Sequence, residues 1–308
     1  MSMASSIIRI IDLLDSPRVE EREVEELVRV CRDSQVEFER LKSERGETLF
    51  TRIIFDFGRG RSIGVIGRLG GVGARPSMIG LVSDADGAIV SLAVAERIAR
   101  MCSKREDLVG RFVITTHIST HSPARPEKPV PMMDSPVDMY ELVKREVGYA
   151  ADAFISIDAT KGNRVIKIRG FAITPVVKRG WILRPTDEVL DIYSWVSGRP
   201  PVLVPITMQD IVPYTTPVKH INSILQPWVY TDSPVMGVAI TSETVIPGSA
   251  TGVTDLASLE SAARFVLEIS KRFNRRELEL YYEEEYKTLI EYHGDLRDVM
   301  VKSLYRKR

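Results

Sequence analysis

Residues 5–15 (SSIIRIIDLLD) space their apolar side chains at helical intervals, and Ser16-Pro17 ends that run. Proline disfavours helical backbone in the residue before it. Residues 18–31 predict a second helix with Val24, Leu27, Val28 and Cys31 on one face. The pattern then changes. QVEFERL at 35–41 alternates, and TRIIFDF at 51–57 is rich in β-formers. SIGVIG at 62–67, RFVITTHI at 111–118, AFISIDA at 153–159 and VMGVAIT at 235–241 are short apolar runs that suit buried strands. Two or three further strands are expected between 164 and 184.

Amphipathic helices are predicted over 88–103, 137–148, 186–198 and 255–273, followed by charged helices at 277–292 and 295–305. Ser83 or Asp84 is placed to cap the first of these, and Gly198 to close the third. Strands alternating with helices imply an α/β fold: a mixed, mostly parallel central sheet with helices on both faces, in one domain across 1–308. Two proline-rich excursions interrupt it, at 119–136 and at 199–234, the second with seven prolines. Their apolar residues (Val130, Met132, Met133, Ile211, Ile224, Leu225, Trp228) are too many for solvated linkers. Exposed apolar loops mark interfaces, so a homo-oligomer with these segments at the contact is expected.

Charge narrows the partners. Lys+Arg and Asp+Glu are equal at 42 each, which leaves no electrostatic footprint for nucleic acid or an anionic membrane. No apolar run approaches the ~20 residues of a membrane span. The N-terminal MSMASSIIRIIDLLDSP, broken by Arg9 and Asp12, does not read as a signal peptide. Cys31 and Cys102 lack metal-ligand spacing and read as two reduced, buried thiols on helices, hence a cytoplasmic protein.

In open α/β sheets ligands bind beyond the carboxyl ends of the strands. The polar residues there are Arg68 after 62–67, Asp84 and Asp86 before the helix at 88–103, His117 at the end of 111–118, and Asp158 followed by Lys161, Asn163 and Arg164. Asp84, Asp158 and His117 have the chemistry of metal ligands. Equally, Asp84 suits a helix N-cap, Asp158 an Asx-turn, and His117 and His220 structural hydrogen bonds to backbone. His117 and His121 are four apart on a strand-to-loop segment, not on one helical face as in a zinc helix.

The stretch GRLGGVGARP at 67–76 follows a buried strand with Gly67, Gly70, Gly71 and Gly73. It contains neither a Walker motif nor GxGxxG, and no GxSxG occurs in the chain, so nucleotide binding and a serine-hydrolase elbow are not indicated. With Arg68 and Arg75 the loop can hold a carboxylate or phosphate, or simply be a tight turn.

The order of segments resembles the di-zinc aminopeptidase and deacylase superfamily. SDADGAIVSLAVAERIARM is similar to its bridging-aspartate segment, DAFISIDATKG to its later metal-aspartate strand, and VMGVAITSETVIPGSATGVTDLASLESAARFV to its last strand, histidine loop and C-terminal helix. Arg68-Leu69-Gly70 stands where that superfamily has His-x-Asp, Ser119 and Thr120 near its Glu-Glu pair, and Gly248 at its final histidine. At closer range GRLGGVGARP, LVSDADGA, MMDSPVDM, SIDATKGNRV and HINSILQP are similar to the family called Domain of Unknown Function 1177. The distant resemblance implies an aminopeptidase-like scaffold with most metal ligands replaced, keeping at most one divalent metal per chain on Asp84, Asp158 and His117.

Two functions are compatible with this. One is a hydrolase of amide or peptide-like small molecules. There Asp84, Asp158 and His117 do the chemistry, His220 steadies an oxyanion, and Arg68 or Arg75 grips a carboxylate. The other is a non-catalytic binding protein for an anionic small molecule or peptide, held by Arg68, Arg75, Lys161, Asn163 and Arg164 with the carboxylates, Asp86 among them, as ion-pair partners.

Overall fold

The apolar runs fold as their burial demands. In the computed structural model, which describes residues 2–128, 131–162, 164–220, 222–244 and 254–305, the chain opens with helices α1 (Met3–Leu14) and α2 (Glu21–Val28). Strands β1 (Ser34–Ser43), β2 (Gly46–Asp56) and β3 (Ser62–Gly67) follow, then α3 (Asp86–Ser103) and β4 (Arg111–Ile118). The first excursion contains a two-residue ladder, β5 (Ala124–Arg125) with β6 (Met132–Met133), and leads into α4 (Met139–Glu146). Next come β7 (Ala153–Ala159), β8 (Gly170–Lys178), β9 (Trp181–Leu183), α5 (Asp187–Ser197) and the short α6 (Met208–Ile211). The chain ends with β10 (Val235–Thr241), α7 (Leu256–Asn274), α8 (Glu283–His293), α9 (Arg297–Met300) and α10 (Lys302–Tyr305).

Eight strands form one mixed sheet in the order β1-β2-β4-β3-β7-β10-β8-β9. The four apolar runs β4, β3, β7 and β10 are its parallel centre, and antiparallel hairpin strands flank them. Buried on both faces, these central strands have no polar alternation to show. On one face Ile155, Ile157, Val238 and Ile240 pack in a core that takes side chains from α1, α2, α3, α5 and α7. On the other face Phe154, Val235 and Ala239 pack against Val204, Ile211, Ile224, Leu225 and Trp228.

That second core corrects the expectation for the excursions. Ile211, Ile224, Leu225 and Trp228 are fully buried within their own chain, and Met133 is buried too. The 199–234 segment is the cover of one sheet face, which explains why its apolar residues lack helical period: Trp228 Nε1 donates to Ile211 O, and Arg297 ties the turn at 228–231 through three backbone carbonyls. The interface argument therefore loses most of the side chains it rested on; of those described, Met132 alone stays partly accessible. Val130 lies outside the described residues.

The cysteines are a second correction. Cys31 follows α2 instead of lying in it, and it forms a disulfide with Cys102 of α3. Seventy-one residues of separation hid a pairing that tertiary folding creates, and the argument for a reducing compartment from free thiols falls with it. No helix among the described residues is long and apolar enough to cross a membrane. Gly198, with φ 66°, closes α5 as the sequence predicts.

Candidate functional site

The carboxyl ends of β3 and β7 are pressed against the start of α3. Arg68 N–H donates to Ile157 O at 2.8 Å, fixing the residues that follow β3 beside the end of β7. A Cβ on Gly87 would lie 2.4 Å from Arg68 O and 2.8 Å from Ile157 O, so only glycine allows the first turn of α3 to sit so close. Arg68, Asp84 and Asp158 are thereby brought to one cavity of about 470 Å³. Its lining also takes Lys161, and Tyr214, His220, Asn222 and Ser223 from the second excursion; Met132, Met133, Asp134 and Met139 come from the first excursion and the start of α4.

Asp84 does not cap α3. It sits in a short 3-10 turn, Ser83–Ala85, and its Oδ2 accepts from the backbone N–H groups of Gly70 and Gly71. Burial, and the neighbouring charge of Asp158, push its carboxyl up to about 8 despite those two donors. Burial also pushes Asp158 up to about 6, against the pull of Arg68.

Arg68 is 2% exposed. Its Nη1 donates to Ser223 O at 2.7 Å, while its Nε lies 3.5 Å from Glu146 Oε2 without completing a hydrogen bond. Burial opposes its charge, but Glu146, Tyr214 and Asp158 outweigh that and hold the guanidinium ionised. Glu146, the last residue of α4, is buried with both carboxylate oxygens lacking a hydrogen-bond partner, and desolvation raises it to about 7. Glu146 and Tyr214 were not anticipated from sequence. The signal for the first was available: an acid three and four residues after Val143 and Leu142, on the apolar face of α4.

Lys161 and Asp86 form a buried ion pair beside the cavity. Burial pushes Asp86 up, against the pull of Lys161, and its Oδ1 makes no hydrogen bond. His220 lines the cavity with its ring edge-on to Tyr214, and its Nε2 lies 3.1 Å from Val212 O. A carbonyl only accepts, so that nitrogen carries the proton, and in the neutral ring Nδ1 is an acceptor rather than an oxyanion donor.

Other expected residues fall elsewhere. His117 is buried at the end of β4 and is not in the cavity lining. Desolvation lowers it to about 4, its backbone contact is with Gly70, and its Nε2 has no partner. Arg75 turns away: its guanidinium donates to Asp15 O and Thr120 O, making it a brace of the glycine loop. Arg164 is exposed and outside the lining. Asn163, and Gly248 with its turn, lie outside the described residues.

These residues do not fit a paired metal centre. Among the described residues, the one grouping of three His, Cys, Asp or Glu ligand atoms within 4.8 Å is Cys31, Asp33 and Cys102, whose two sulfurs are bonded to each other. Asp84, Asp158 and His117 do not form such a group. A buried guanidinium beside Asp158 adds a fixed charge that repels a cation.

Among solved structures, the chain is similar to the bottromycin maturation enzyme BotP, with TM-score 0.53 and 14% identity over 86% of this chain and 70% of that one. Cytosol aminopeptidase from Coxiella burnetii gives TM-score 0.53 and 13% identity over 87% and 69%. Porphyromonas gingivalis glutaminyl cyclase gives 0.52 and 12% over 87% and 96%. At such identities the likeness establishes an aminopeptidase-like α/β fold. No curated protein matches the chain in sequence. Residues 39–303 match the family described as "Protein of unknown function (DUF1177)", and the chain belongs to that family.

Proposed function

We propose that the chain is a hydrolase of amide or peptide-like small molecules, with Asp84 and Asp158 as its acid–base pair and Arg68 as the anchor for a substrate anion. The observation that carries this reading is the pair itself: two carboxyls in one cavity beyond the strand ends, raised to about 8 and about 6. Two carboxyls whose pKa values are pushed apart supply an acid and a base at the same pH. At neutral pH Asp158 is the ionised partner and Asp84 the protonated one. Asp158 takes a proton from water as its oxygen bonds the carbonyl carbon. Asp84 gives its proton to the leaving nitrogen as the C–N bond breaks. Asp84 ends ionised and Asp158 protonated, and one proton passed between them restores the start. Gly70 and Gly71 N–H groups, already on Asp84 Oδ2, favour the anion Asp84 becomes.

The test is turnover of a panel of N-acyl amino acids and dipeptides by chelator-treated protein. Asp158→Asn and Asp84→Asn are each expected to lower kcat by about 100-fold or more. Unchanged rates in both, or activity only with two metal ions bound, would sink the proposal.

The second reading, a binding protein for an anionic small molecule, is favoured by the cations Arg68 and Lys161 in the lining, both almost wholly buried. It predicts anion binding that survives Asp84→Asn with no turnover of any member of the panel.

A further inference from the structure

Three ligand-bearing side chains meet at the end of α3 remote from the cavity. Cys31 follows α2, Asp33 precedes β1, and Cys102 stands in the last turn of α3. One ligand atom from each lies within 4.8 Å of the other two. Asp33 Oδ2 is 3.7 Å from Cys102 Sγ, and the Cα atoms of the two cysteines are 5.5 Å apart. Spacing along the chain conceals the group, because only the packing of α2 on α3 closes the 71 residues between the sulfurs.

The disulfide is not all that places these groups. Cys31 N–H donates to Val28 O at 3.0 Å, and Ser34 Oγ donates to Cys31 O at 2.7 Å. Asp56 N–H of β2 donates to Asp33 O at 3.3 Å. The amides of Lys104, Arg105 and Glu106 return to the carbonyls of Arg100, Cys102 and Met101, which fixes the last turn of α3. Cys31 is 3% exposed in the core with Val24, Leu27 and Val28; Cys102 packs against that core, and Asp33 is exposed. When the S–S bond opens, backbone and core contacts therefore keep the two sulfurs and the carboxylate together, with one side open to solvent.

We propose that the reduced chain binds one thiophilic divalent cation of the zinc class between Cys31, Cys102 and Asp33, with water as its fourth ligand. Two thiolates and a carboxylate form a zinc ligand set. On one zinc ion a sulfur and a carboxylate oxygen stand about 3.5 Å apart, close to the distance found here, and two sulfurs about 3.8 Å apart. Side chains on Cα atoms 5.5 Å apart reach that second separation by turning about their Cα–Cβ bonds. A dithiol reductant supplies two electrons and two protons as the S–S bond breaks and becomes a disulfide itself; the cation then displaces the two thiol protons to solvent. A disulfide sulfur has no proton to donate to Asp33, whereas a cation between them gives that carboxylate a partner. The S–S bond and the cation exclude each other, so the site exists in one redox state only. It is separate from the cavity and stands apart from the hydrolase reading.

The test uses the full chain, reduced with a dithiol, freed of it under nitrogen and titrated with Co2+ in place of zinc. Thiolate ligands give a sulfur-to-cobalt charge-transfer band that carboxylates and imidazoles do not, which separates this site from any metal held by Asp84, Asp158 or His117. The reduced chain should develop the band to a plateau at one ion per chain, and Zn2+ should bleach it. The disulfide form should show none, and Cys102→Ser should not develop the parent's band. Asp33→Asn keeps both sulfurs and is expected to weaken cobalt binding by about tenfold or more. If reduction alone unfolds the chain, melting decides: Zn2+ should raise the midpoint of the reduced chain and leave that of the disulfide form in place. No band in the reduced chain, parent affinity in Asp33→Asn, or a reduced midpoint unmoved by zinc overturns the proposal.

Discussion

Arg68 Nε and Glu146 Oε2 face each other at 3.5 Å with side chains only 2% and 1% exposed. Each charge is out of water and depends on the other. Removing one partner of such a pair costs about 3–5 kcal/mol, whereas replacing both with apolar groups is close to neutral. Arg68→Met is therefore expected to lower unfolding stability by about 3 kcal/mol, and Arg68→Met with Glu146→Leu to recover most of it. Urea denaturation of the two variants gives the answer; equal losses in single and double variants would remove the pair from the account.

On the hydrolase reading, the pH dependence of turnover follows from the carboxyl pair. Asp158, raised to about 6, must be ionised to take a proton, and Asp84, raised to about 8, must be protonated to give one. Rate should climb through about pH 6, fall through about pH 8 and peak between them, the two limbs belonging to the pair as a unit. A profile of kcat/KM that keeps rising beyond the upper limb contradicts the assignment.

Stability carries the same signature with its own sign. Asp84 titrates from 3.8 ordinarily to about 8 when folded, so across that window the folded chain holds more of this proton than the unfolded chain. Stability from this group is full below the lower value and is lost as pH rises to the upper one, by up to about 1.4 kcal/mol per pH unit. Asp84→Asn keeps an acceptor for Gly70 and Gly71 and cannot ionise. Its stability relative to the parent should grow steadily between pH 6.5 and 8. Parallel melting curves for the two proteins in that range would exclude a buried, proton-binding Asp84.

Two tightly held transition metals per chain are not expected. Elemental analysis of protein purified without chelator should return fewer than two, and excess EDTA should leave the melting midpoint unchanged, since a structural metal would have contributed folding energy. Loss of fold on chelation would show a ligand set different from the one described.

The disulfide should matter for stability and not for the site. It closes a separation of 71 residues, and reduction or Cys102→Ser is expected to cost about 2–4 kcal/mol. Cys102 lies near the end of the 18-residue α3, whose first residue is Asp86, and a helix of that length spans about 27 Å. Ligand affinity should therefore be unchanged in Cys102→Ser when measured well below its melting temperature.

What could be read from the sequence follows the physics of burial. Arg68 and Asp158 were found because buried parallel strands are short unbroken apolar runs, and their ends can be counted. Asp84 is legible from the start of the helix predicted at 88–103, but its bond to the glycine loop is not, since residues 14 apart meet only in the fold. Arg75 shows the converse: a cation in the right loop that braces Asp15 and Thr120 carbonyls instead of a ligand. Tyr214 and the methionines lie in or beside proline-rich stretches, where no periodicity separates a buried residue from an exposed one.

The neighbours of β3 also determine when this cavity can exist. Both strands that flank it, β4 and β7, come later in the chain. A polypeptide leaving the ribosome thus presents β3 with two open edges until residue 118 has emerged, and with one until residue 159 has. Arg68 has no Ile157 carbonyl to receive its amide before then, and no Ser223 carbonyl for its guanidinium until later still. Unpaired apolar edges are templates for pairing with other chains. The nascent chain therefore carries open apolar strand edges while the residues that line this cavity are still being made.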